Sequence, residues 1–320
     1  MDPIRYSAKE TADLLGITTK VLSGALKKDH YTPEDAWELR GKLQREPPAL
    51  GTRKQLFLNF KGGTGKTSLS TSYAWRLAEM GYGVLLVDLD SQGHATKCLG
   101  FEGEDFERTL LDVLVKKIPI SQVVQKSPLP NLDFVPSNLS MSTVDLALMP
   151  MAGREFKLKN ALKEVEAHYD FIIFDAPPSF GLLNLNALMA ADDLIVPVLA
   201  DFLSFHGLKL LFETVNSLEE DLGHVLDHVF IVVNSFNATF KLAKEALEAL
   251  KQHYPEFLMP QVIRQCTRFA QASSEGMPIF RFDRDSKGAS DVQKLIDDVL
   301  GRLQSSIAAK AAARTQAKSA

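Results

Sequence analysis

Residues 55–77 read QLFLNFKGGTGKTSLSTSYAWRL. A short apolar run leads into a glycine-rich turn, and the turn opens onto a helix-forming stretch. This is the setting in which backbone amides and a helix N-terminus converge on phosphate. GGTGKTS approaches the pattern G-x-x-x-x-G-K-[ST], although Asn59 and Phe60 stand where its first glycine would precede the loop. The pattern expects Gly62, Gly63, Thr64, Gly65 and Ser68 to line a nucleotide, Lys66 to reach its β- and γ-phosphates, and Thr67 to bind Mg²⁺. Lys61 is extra to this pattern. It can bind phosphate in its own chain, point to water, or act on something outside the chain.

On either side of the loop, short apolar runs alternate with helix-length segments: QLFLNF, GVLLVDLD, LDFVPS, DFIIFDAPPS, DLIVPVLA, HVFIVVNSF and EFLMPQVI. That alternation predicts βαβ units, hence an α/β fold with a doubly wound, mostly parallel sheet. Ligands in such sheets sit beyond the carboxyl ends of the strands. Two carboxylate motifs fall there. LLVDLDSQGHAT (85–96) places Asp88 and Asp90 two residues apart at a strand end, on one side of an extended segment. YDFIIFDAPPSFGLLNLNAL (169–188) places Asp175 after four apolar residues, where a strand-end carboxylate holds Mg²⁺, partly through water.

KGGTGKTS (61–68) resembles the deviant Walker A motif of the ParA/MinD group of P-loop ATPases. The resemblance implies that Lys61 crosses a dimer interface to the nucleotide of the other subunit, acting there as an arginine finger does. D-x-D-x-Q-G is similar to the family's first switch segment, which gives Asp90 the attacking water and Asp88 a magnesium-supporting role. Ser91 and His94 depart from the family's usual proline and asparagine, and neither change removes a catalytic group. DAPPSFG resembles the second switch of the ParA branch, and Asn234 in IVVNSFN matches a position used for adenine contact. The likeness runs from about residue 55 to 300 and includes VIRQCTRFAQASSEGMPIF. It implies non-specific DNA binding through Arg268, with Arg264 and Lys287 as further candidates and Arg281 and Arg284 nearby. Phosphate contacts of that kind are strongly salt-dependent. Solvated or paired surface charges are the alternative for each of these cations.

The 320 residues, 45% hydrophobic and 24% charged with a net charge of −4, are those of a globular chain without a uniformly basic coat. Cys98 and Cys266 have no metal-ligand spacing and no disulfide framework, as in a reducing compartment. No signal peptide or membrane span is read. Residues 1–45 form a small helical unit. Ser7 and Glu10 are spaced as a capping box, and Thr32 and Pro33 as the start of a third helix. This unit resembles the N-terminal part of MerR-like helix-turn-helix domains, with a second helix expected to carry Lys20, Lys27 and Lys28. The basic and acidic residues of 1–50 balance, eight of each, and operator binding and protein docking both stay open. Residues 46–54, with tandem prolines, form a linker. Residues 55–302 form the ATPase domain, and 303–320 a flexible, basic, Ala-rich tail. The whole implies a cytoplasmic, nucleoid-associated ATPase of slow turnover with ATP and Mg²⁺ as cofactors. It would be a homodimer on ATP, bind DNA, engage a ParB-like or cargo-adaptor protein, and make no membrane contact. The alternative is an operator-binding regulator that senses nucleotide.

Overall fold

The computed structural model describes residues 3–319, with side chains as far as 313. Seven strands form one sheet: β1 (Arg53–Phe57), β2 (Val84–Asp88), β3 (Gln125–Lys126), β4 (Leu132–Val135), β5 (Phe171–Asp175), β6 (Asp193–Leu199) and β7 (His228–Asn234). Their order is β3-β4-β2-β5-β1-β6-β7, and every pairing is parallel except β3 with β4. The strands are apolar on both faces because both faces are covered. Leu56, Leu85, Val87, Ile172 and Phe174 enter one core, beneath the helices Leu182–Ala190 and Leu203–Leu222. Phe57, Val84, Leu86, Phe171 and Ile173 enter the other, with the helix that follows the glycine loop, Lys66–Glu79, and the C-terminal helix Lys287–Ser319.

At the amino ends of the strands, Arg53 binds Asp193, and Asp227 at 2.7 Å, while His228 Nδ1 lies 2.8 Å from Asp193. These contacts start β1 at Arg53, two residues before the apolar run. The expected strand EFLMPQVI does not form. Pro255 and Pro260 withhold donors, and the segment makes only isolated bridges beside β7, at Leu258 and Arg264. Ile231 donates to Phe257, and Met259 and Ile263 donate to Ile231 and Val233, so this irregular chain still covers the outer side of β7. The other edge is the short antiparallel β3, where Lys126 pairs with Asp133 at 2.8 Å.

Three helices, α1 (Ala8–Leu15), α2 (Thr19–Ala25) and α3 (Pro33–Lys42), make the N-terminal unit. The capping boxes at Ser7–Glu10 and Thr32–Asp35 both form. Tyr6 and Tyr31 exchange two backbone hydrogen bonds over a small core of Leu14, Leu15, Leu22 and Leu39. α2 ends at Ala25, so Lys27 and Lys28 lie beyond it rather than on it. Lys28 is tied to Asp35 at 2.7 Å.

The unit is fastened to the far end of α4, the helix Lys66–Glu79. Glu79 receives Tyr6 Oη at 3.0 Å, Trp75 Nε1 at 3.1 Å, Arg76 Nη1 at 3.1 Å, and the Arg284 guanidinium. Arg40 reaches the carbonyls of Leu14 and Glu79 at 2.7 and 3.2 Å. Residues 303–319 continue the C-terminal helix.

Candidate nucleotide site

The parallel register brings the motif residues to one edge. β1 runs into the glycine loop, and Phe57 pairs with Asp175 across to β5. Asp175 pairs in turn with Asp88 at the end of β2. On the other side of β1, β6 and β7 end near Asp201 and Asn234. The loop therefore lies between a carboxylate pair on one flank and an aspartate and an asparagine on the other.

Gly63 and Gly65 hold φ of +72° and +89°, left-handed values that favour glycine. A Cβ on Gly62 or Gly63 would meet open space, whereas one on Gly65 would overlap Asn234 Nδ2. Asn234 donates from that nitrogen to the Thr64 carbonyl at 2.8 Å. Its amide thus braces the loop in this structure, a role the sequence did not suggest. Lys66 is buried, and its ammonium meets the Lys61 carbonyl at 3.2 Å. Burial lowers its pKa, opposed by Asp175 and Asp90.

Asp88 and Asp175 are fully buried. Asp88 accepts from the Thr96 amide and hydroxyl, both at 2.8 Å, and from the Asp90 amide at 3.1 Å. Asp175 accepts from Ser70 Oγ at 2.8 Å, while its Oδ2 is buried with no hydrogen-bond partner. Burial above all raises both carboxyls, Asp88 to about 8 and Asp175 to about 6. The Asp175 charge adds to the first, and the neighbouring Thr67 and Ser70 hydroxyls oppose the second. Asp90 is half-buried, and its Oδ1 accepts from the Gln92 amide at 3.0 Å.

A buried ammonium on a carbonyl, open glycine amides at a helix start, and the orphaned Asp175 Oδ2 and Thr64 Oγ1 form a cradle suited to a magnesium–phosphate group. Among the described residues no three His, Cys, Asp or Glu side chains cluster for a metal. Mg²⁺ takes one or two carboxylates and completes its shell with phosphate and water.

A family model described as "AAA domain" matches residues 53–228. The cell division protein PomZ of Myxococcus xanthus is 75% identical over 316 residues, covering 99% of this chain and 98% of its own. The sporulation initiation inhibitor protein Soj of Bacillus subtilis is 35% identical over 241 residues, covering 75% of this chain and 95% of its own. The chain belongs to the ParA-type P-loop ATPases. Among solved structures, cobyrinic acid a,c-diamide synthase from Mycobacterium smegmatis with bound ADP and magnesium superposes on this ParA-type fold with a TM-score of 0.70. It is 28% identical, over 79% of this chain and 96% of its own.

Away from the nucleotide edge, the ParA-type chain sorts its basic candidates. Arg268 is half exposed and pairs with Asp283 at 2.8 Å. Lys287 is exposed at the start of the C-terminal helix. Arg264 instead spends its guanidinium on the buried Asp291, at 2.7 and 2.8 Å. Arg284 is held between Glu79 and Glu10, and Arg281 lies over the Trp75 ring at 5.8 Å. Among the described residues no helix is long and apolar enough to cross a membrane.

Four further residues belong to the site: Ser70, Thr96, Asn59 and Asp201. Ser70 was available, being three residues after Thr67 and so on the same helix face. Thr96 and Asn59 are polar residues at the margins of the quoted motifs, which is a weak signal. Asp201, which binds Lys61 at 2.7 Å, is 140 residues away from it and carries no local mark.

Proposed function

We propose that this ParA-type chain hydrolyses ATP slowly, dimerises on it, holds DNA non-specifically as the ATP dimer, and leaves DNA when a partner protein stimulates hydrolysis. The observation that carries this reading is the convergence of Lys66, Thr67, Asp88, Asp90 and Asp175 at one carboxyl edge, around a glycine loop with an orphaned carboxylate oxygen. Lys66 would neutralise the β- and γ-phosphates, with the amides of the loop from Gly62 to Ser68 around them. Thr67 and Asp175 would hold magnesium, directly and through water, with Asp88 behind them. Bound magnesium would supply charge neutralisation to the phosphates. Asp90 would orient the water that attacks the γ-phosphorus as the bond to the bridging oxygen breaks, giving ADP and phosphate. Lys61 from the partner subunit would add positive charge to the transition state.

Arg268 and Lys287 would contact DNA phosphates, and Arg264, committed to Asp291, would not. The near full-length likeness to a protein named for cell division supports a cargo tied to division over a plasmid. The N-terminal unit would grip that cargo's adaptor. This is favoured over an operator-binding regulator because α2 does not carry Lys27 and Lys28, and Lys28 is paired.

One experiment tests the reading: ATP turnover and retention on random-sequence duplex, with and without ATP, for three proteins. The wild type should show both. Asp90→Ala should stay on DNA with ATP and release phosphate at a small fraction of the wild-type rate. Arg268→Glu should bind ATP and lose the duplex, because a phosphate-facing charge is reversed. Wild-type turnover in Asp90→Ala, or ATP-independent binding at one preferred sequence, would overturn it.

A further inference from the structure

One ammonium faces two anionic demands. Lys61 Nζ lies 2.7 Å from Asp201 Oδ2 within the same chain. Asp201 stands two residues past β6, on the carboxyl edge beside the glycine loop. Its other oxygen accepts from the backbone amide and hydroxyl of Ser204, at 2.8 and 2.9 Å, in the first turn of the helix Leu203–Leu222. The helix start therefore fixes the carboxylate. The base of Lys61 is fixed as well: its amide donates to Asn59 Oδ1 at 2.9 Å, and Asn59 Nδ2 donates to the Pro197 carbonyl at 2.8 Å. What remains free is the four-carbon stem. A lysine head is a point charge on such a stem, and it makes its charge-assisted contact with one anion or the other.

We propose that Asp201 is a latch that parks Lys61 in the single chain and must release it when two nucleotide-bound chains assemble. The inference rests on the reading that Lys61 acts across the dimer. Parking and crossing are then mutually exclusive states of one side chain, and the latch sets how much ATP the dimer requires. Both partners are about one-third exposed, 31% for Lys61 and 38% for Asp201. A pair so open to water exchanges readily and biases the equilibrium by a modest factor. It delays assembly without blocking it.

The test is sedimentation of the full-length chain over a titration of a non-hydrolysable ATP analogue. Asp201→Asn keeps an oxygen for Ser204 and loses the charge. It should dimerise at about two- to five-fold less nucleotide than the wild type. Asp201→Ser also supplies a helix-capping oxygen and should shift the threshold the same way, which covers the case in which Asp201→Asn folds poorly. Asp201→Glu, which restores the charge, should return the threshold towards the wild type. Lys61→Ala separates the two layers of the reading. If it dimerises at the wild-type threshold, Lys61 does not cross, and latch and crossing both fall. If Lys61→Ala stays monomeric while the neutral Asp201 variants dimerise no more readily than wild type, the latch alone is overturned. A higher threshold in those variants also overturns it, making Asp201 a residue that aims Lys61 at the partner.

Discussion

Asp88 and Asp175 end neighbouring strands in register, and both carboxyls are buried. In an unfolded chain each would ionise near its ordinary value of 3.8, whereas burial raises Asp88 to about 8. A carboxyl with a raised folded pKa contributes stability that is fully present below the unfolded value and is lost as pH rises through the folded one. The magnesium-free protein should therefore lose stability through this pair between about pH 4 and 8. Thermal melts across that range should show Asp88→Asn with a flatter profile and a melting temperature several degrees above wild type at pH 8. Near pH 4 the two should be nearly equal. The motif carboxylates themselves were legible, because each ends an apolar strand. Their partners were less so. Thr96 reaches Asp88 only because the chain turns back after Gly93, whose left-handed φ of +62° opens the short helix His94–Cys98. Asp201 meets Lys61 only because β6 lies beside β1.

The loop and α4 work as one element, since the helix begins where the loop's last glycine turns. Gly65 is left-handed at +89° and packs against Asn234. Gly65→Ala adds backbone strain of about 1–3 kcal/mol and pushes on the amide that braces Thr64. Nucleotide affinity should fall about ten-fold or more, measured with a fluorescent ATP analogue, while the far-ultraviolet circular dichroism stays that of the wild type. At this scale continuous apolar runs, as in FIIFD and HVFIVVN, are legible as strands. Residues 256–263 have the apolar content of a strand, but Pro260 interrupts it and Pro255 precedes it. β3 is not legible, since two polar residues have no period to read.

Taken as a whole, the molecule is two cores about one sheet, with a third small core fastened at Glu79. That junction lies at the end of a 14-residue helix, about 20 Å from the phosphate loop. Glu79→Ala would leave the largely buried Arg284 short of its main partner, costing about 3–5 kcal/mol. The unfolding midpoint should drop, and protease should gain access to the chain between 46 and 52, while ATP binding persists. Retention of the wild-type midpoint and digestion pattern would show that the junction is not held by Glu79. The margins of the sheet carry a different consequence. One is closed by the short β3 with its Lys126 cation, the other by the proline-interrupted chain along β7. A two-residue edge strand bearing a lysine and a proline-interrupted margin are both poor templates for an added strand. Copies brought to high local density should therefore resist growing into a shared ribbon of strands.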